Sequence, residues 1–147
     1  MDDAIDDLAR EDAAGEAAML ELLLAKDRAV GPMVEALADP DRTASRPRLV
    51  HAMASLVARV SDPRIPETLT QLLQSDPDPA VRSAVAIAAG YYHLVDLYGA
   101  LLDVGTYDEH GDVRLHSFHA LRLLAGKVPS EELDPVRQRA AQLLDDP

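Results

Sequence analysis

The sequence predicts an all-α protein, a right-handed solenoid of stacked helical hairpins. Three observations carry this. The stretches Asp76-Pro77-Asp78-Pro79-Ala80-Val81-Arg82 and Asp108-Glu109-His110-Gly111-Asp112-Val113-Arg114 say nearly the same thing, and positions 76 and 108 lie 32 residues apart. Each is an acidic turn followed by Val-Arg. Small or apolar residues then recur at three- and four-residue steps: Val85, Ala88, Ala89 and Gly90 after the first, Ser117, Ala120 and Leu121 after the second. A period of this length marks hairpins that bury their apolar faces on one another. The second observation is an aromatic content of 3%, which leaves Leu, Val and Ala to build the core and implies close helix packing. The third is length: 147 residues make one domain large enough for a continuous core.

The elements follow in order. Residues 2–13 read as a short acidic helix with a thin apolar stripe of Ile5, Leu8 and Ala9, its early Asp residues suiting the positive end of the helix dipole. After Gly15 a stronger helix carries Ala18, Met19, Leu20, Leu22, Leu23 and Leu24. Together they are expected to form an N-terminal capping hairpin over 1–28, with one polar outer face. Three repeats are expected over 29–126. The first opens at Val30-Gly31-Pro32, turns at Asp39-Pro40-Asp41, and has its second helix from Arg46 to Val60. The next begins after Ser61-Asp62-Pro63, with Leu69, Leu72 and Leu73 on its first helix and a second helix over 79–90. The last has helices over 92–103 and 112–125. Pro129 and Ser130 break the chain, and a C-terminal cap helix over 129–146 holds Val136, Ala140, Leu143 and Leu144.

The pattern of acidic turn, Val-Arg and spaced small residues resembles the second helix of HEAT-like repeats. Its short period is similar to the variety found in phycobilisome lyases. The resemblance covers residues 30–126. In the first repeat Arg48 stands 34 residues before Arg82, while Leu49, Met53, Leu56 and Val60 point to a register shifted by one. Asp76 and Asp112 are expected to cap the helices that follow them. For Arg82 and Arg114 the resemblance implies a structural ladder, each Arg bonding carboxylates of nearby turns, with Asp76 and Asp112 as the acids.

Charge and motifs bound the function. The net charge of −12 argues against a nucleic-acid backbone or an anionic membrane as the main partner, since both need clustered Lys and Arg. A basic protein surface is one partner that acidity would suit; solubility alone explains it too. The absence of Cys removes disulfides, thiolate metal sites and Cys nucleophiles together. An acidic N-terminus and the lack of a long apolar run point to a cytoplasmic protein. Asp108, Glu109, His110, His116 and His119 could be drawn as a metal site, but no recognised ligand spacing is present, and neither metal nor cofactor is expected. No nucleophile elbow, phosphate loop or nucleotide fingerprint appears.

The candidate site comes from the second helices, which line the concave surface in HEAT-like stacks. On 112–125, Val113, Ser117, Ala120 and Leu124 share the buried stripe, leaving Leu115, Phe118, His119 and Arg122 opposite. The matching positions one repeat earlier are Ser83, Ala86, Ile87 and Gly90. These could form a shallow groove edged by Phe118, with Tyr91 and Tyr92 as aromatic anchors. Alternatively, Leu115 and Phe118 pack on the C-terminal helix. The reading favours a non-catalytic protein-binding module or scaffold over an enzyme. Two alternatives stand beside it: a bilin lyase-like or related enzyme holding a tetrapyrrole in the groove, and a small acidic inhibitor or immunity protein of a basic toxin or nuclease.

Overall fold

The computed structural model describes residues 1–127 together with Asp134, Gln138, Ala141 and Gln142, which are helical. The expected C-terminal cap residues Val136, Ala140, Leu143 and Leu144 lie outside the described residues. Residues 1–127 form eight α-helices, one 3-10 turn and no strand: α1 Asp2–Asp7, α2 Ala13–Ala25, α3 Asp27–Leu37, α4 Arg46–Leu56, α5 Arg64–Ser75, α6 Pro79–Tyr91, the 3-10 turn Val95–Leu97, α7 Tyr98–Tyr107 and α8 Gly111–Leu124. They pair as successive hairpins. Within them α7 packs on α8, α5 on α6 and α3 on α4, while the second helices α4, α6 and α8 form a layer of their own. Leu37, Leu49, Met53, Leu56, Leu69 and Leu73 are fully buried between the layers.

Helix boundaries differ from the sequence expectation where a local backbone device intervenes. The helix expected after Gly15 starts earlier, because the Asp12 carboxylate accepts from the Ala14 and Gly15 amides at 3.0 and 3.3 Å and caps it there. The first repeat does not open at Pro32, which sits inside α3 and removes one backbone hydrogen bond. The break comes instead at Lys26, whose φ of 52° turns the chain sharply between α2 and α3. Likewise the helix expected from 92 starts at Tyr98, because His93 at φ 55° ends the preceding path and the 3-10 turn follows. The helix expected to run to Val60 ends at Leu56.

The ladder is present with different members. The Arg82 guanidinium donates from Nε to Asp108 Oδ2 at 2.8 Å and from Nη2 to Asp108 Oδ1 at 3.1 Å. Its Nη1 donates to the Asp76 carbonyl at 2.7 Å. Arg46 also pairs bidentately with Asp76, but through Nη1 and Nη2, and donates to the Leu37 carbonyl from Nε at 3.1 Å and Nη2 at 2.8 Å. Arg114 repeats the inner half, its Nη1 donating to the Asp108 carbonyl at 2.6 Å. Each Arg therefore grips a carbonyl before its own helix, and Arg46 and Arg82 reach the Asp of the next turn. Asp112 is no part of this: it is exposed and pairs with no cation among the described residues. Neither Asp76 nor Asp112 caps a helix. Asp78 caps α6 through the Ala80 amide at 2.9 Å, and α8 has no side-chain cap. Asp76 and Asp108 instead accept from the Asp78 and His110 amides, both at 2.9 Å, which fixes each turn for its ion pair.

Arg48 is not the first rung. Its Nη1 donates to the Leu8 carbonyl at 3.0 Å and to that of Arg10, pinning the link between α1 and α2. Arg46 is the true equivalent, so the ladder arginines stand at 46, 82 and 114.

Arg82→Ala is expected to cost about 3–5 kcal/mol, because it strands a buried carboxylate. The double change Arg82→Met with Asp108→Leu should recover most of that, since both charges leave together; urea unfolding midpoints read both. The Asp108 carboxyl adds a pH test. Burial pushes it up, but the Arg82 hydrogen bond, the His110 amide and the charges of Arg82 and His110 together hold it below its ordinary 3.8. A depressed carboxylate stabilises fully above its unfolded pKa, and that contribution fades as pH falls through the folded value. The stability gap between the parent and Asp108→Asn should stay constant above about pH 5 and narrow below about pH 4.

Candidate functional site

Aligning α4, α6 and α8 on Arg46, Arg82 and Arg114 places equivalent side chains in rows across the layer. One row is His51, Ile87 and His119; a second is Ser55, Tyr91 and Leu123; a third is Arg48, Ala84 and His116; a fourth is Pro47, Ser83 and Leu115. All twelve are exposed or half-buried. The positions between them are buried: Leu49, Val85 and Ser117 in one register, Ala52, Ala88 and Ala120 in another. Helical periodicity thus leaves each second helix one narrow outward sector, and the ladder brings the three sectors into register.

At the centre, α6 and α8 enclose a shallow cleft of about 140 Å³, lined by Ala86, Ile87, Gly90 and Tyr91 and by His116, His119, Ala120 and Leu123. Its closeness comes from Gly90. A Cβ there would stand 3.0 Å from both Ala120 Cα and Leu123 Cδ1, so any other residue would make α8 give way by a few tenths of an ångström. Tyr91 is 69% exposed, Ile87 48% and Leu123 42%, a group of large apolar surfaces around the rim. Tyr91 and Tyr92 meet edge to face at 4.8 Å, and His51 of α4 closes the cluster against Tyr92 at 5.4 Å and Tyr91 at 6.0 Å. Burial, and secondarily the neighbouring Tyr91, push the Tyr92 hydroxyl above its ordinary 10.0, so it stays neutral. His116 Nδ1 is buried without a hydrogen-bond partner among the described residues.

Five of the sequence-nominated residues meet here: Ala86, Ile87, Gly90, Tyr91 and His119. Tyr92 stands behind them, and Ser83 and Leu115 lie in the flanking row, with Leu115 66% exposed. Phe118 and Arg122 do not edge the groove. Their equivalents, Ala86 and Gly90, are buried against α8, so both lie on the flank of α8 turned away from α6. Phe118 is half-buried on α7, its ring about 3.1 Å from where a Gly105 Cβ would be. The signal was in the sequence: Arg114, Phe118 and Leu121 fall at i, i+4 and i+7, a second inward stripe facing α7. His51, His116 and Leu123 were missed because only the ladder register, set by Arg46, Arg82 and Arg114, shows which positions align.

Asp108 and His110 are held on Arg82, away from His116 and His119 in the cleft. No group of three or more His, Asp or Glu among the described residues could hold a metal ion. A larger opening of about 490 Å³ lies between α3 and α5, over Val34, Leu37, Thr68, Gln71 and Leu72. Its charged floor is Arg46 with Asp76, already satisfied by each other, so it offers no unpaired charged group to a ligand. No helix among the described residues is long and apolar enough to cross a membrane.

A family model of HEAT repeats matches residues 32–122, from within α3 to near the end of α8. The chain belongs to the HEAT-repeat family. HEAT repeats in general mediate protein–protein interaction. No curated protein and no solved structure matches it. The matched span contains every ladder arginine and eleven of the twelve outward residues, Leu123 falling one position beyond it on the same helix α8.

Exposure separates the two aromatic positions in a testable way. Phe118→Ala is expected to cost at least about 2 kcal/mol, given about 3–5 for the same change in a closed core. Tyr91→Ala should cost less, about 1 kcal/mol or below, the scale of its edge contacts with Tyr92 and His51. Thermal melts of the two variants side by side make the comparison.

Proposed function

We propose that this HEAT-repeat chain is a non-catalytic protein-binding module that holds its partner on the outward rows of α4, α6 and α8. The observation that carries the reading is the grouping of Ile87, Tyr91 and Leu123, large and exposed, around a cleft too small for a cofactor-sized ligand. Pockets that hold cofactor-sized ligands measure about 300–1,000 Å³, which sets this one of about 140 Å³ apart and favours a protein over a tetrapyrrole. Protein interfaces need what is here: a few aromatic or aliphatic anchors, a recess beside them and a polar rim. The rim is His51, His119 and Ser83. The four rows carry one continuous surface because the three helices beneath are locked in register.

Tyr91→Asp with Leu123→Asp should remove partner capture from the source cells while leaving the helical circular dichroism spectrum and melting midpoint close to those of the parent. A control change in the other layer, Gln74→Asp, should keep capture. Capture that persists in the double variant, or falls equally in the control, would place the interaction elsewhere.

A further inference from the structure

The chain carries 26 acidic residues, yet the three helices that build the candidate face hold only one of them, Asp112, in the first turn of α8. The outward rows instead hold Arg48, His51, His116 and His119. The Arg48 guanidinium is bonded to carbonyls, not to a carboxylate, so its charge is not neutralised there. The face is therefore rich in donors and nearly free of acids, on a protein whose net charge is −12.

We infer that the segment seated on this face is acidic, with carboxylates flanking an apolar anchor. The inference rests on the interaction reading above and names its partner's chemistry. Charge complementarity decides the sign of a partner more than it decides affinity, and a like-charged rim rejects the wrong one. The overall negative charge does not reverse this. At physiological ionic strength the Debye length is about 8 Å, so acids on the outer layer are screened at the cleft between α6 and α8, and the local rim governs there. A nucleic acid is the poorer occupant. It would need a run of Lys and Arg to release counterions, whereas these helices carry no Lys and present Ile87, Tyr91 and Leu123 instead. An apolar residue of the segment would enter the cleft between α6 and α8, and its carboxylates would accept from the His51 and His119 rings on either side.

Selecting a displayed random-peptide library on the immobilised protein tests this. The expected pool is enriched in Asp and Glu around one or two large apolar residues. His51→Glu with His119→Glu, two exposed positions, should weaken those peptides by about tenfold and admit Lys-bearing ones. A pool that depends on Tyr91 but is basic or uncharged, or one indifferent to the double Glu change, would overturn the acidic partner and leave the interaction reading standing. A pool with no dependence on Tyr91 would overturn both.

Discussion

The bidentate pairing of one hairpin's arginine with the next turn's aspartate is the constraint on which the rest depends. Arg46 with Asp76 and Arg82 with Asp108 are buried ion pairs between neighbouring repeats. Such pairs add little net stability over apolar substitutes, because desolvating two ions costs about what their attraction returns. They act instead through the alternatives they exclude. A slip of one residue along α6 would strand Arg82 and Asp108 in the interior, so the repeats stack in a single register. The carbonyls of Leu37, Asp76 and Asp108, each gripped by an arginine, tie every turn to the helix that follows.

Small residues then convert register into proximity. Ala86 and Gly90 on α6 let α8 lie close, and the same closeness leaves the recess between Ile87 and His119 shallow. A larger side chain at Gly90 would open the cleft only by pushing α8 away. Packing and site are thus one feature seen from two sides: the inner arc of each second helix is consumed by its neighbours, and the narrow outward sector is what remains.

Charge is distributed along the same division. Acids gather in α1, in the turns and on the first helices, where they bond to amides, pair with arginines or meet water. The second helices are nearly without them. This arrangement keeps the protein strongly anionic while leaving one neutral-to-basic, partly apolar strip.

Sequence alone determined the helical class, the repeat and the buried stripe Val113, Ser117, Ala120 and Leu124, because apolar spacing within one helix is a local property. It also marked the arginines as structural and brought Ile87, Gly90, Tyr91 and His119 forward. It misplaced Phe118, since one helix can bury two adjacent arcs when it has two neighbours, and the neighbours are not written in the helix itself. It took Asp112 for Asp108 and left the first repeat between Arg48 and a register shifted by one, because acids and arginines cluster in these turns and only reach across a hairpin interface selects among them. The helix starts at Asp27 and Tyr98 were likewise decided by left-handed backbone at Lys26 and His93, which no residue type there announces. Which side chains share a surface was settled by the tertiary structure alone: rows such as His51, Ile87 and His119 join residues far apart in the chain, and only the stacking of one hairpin on the next aligns them.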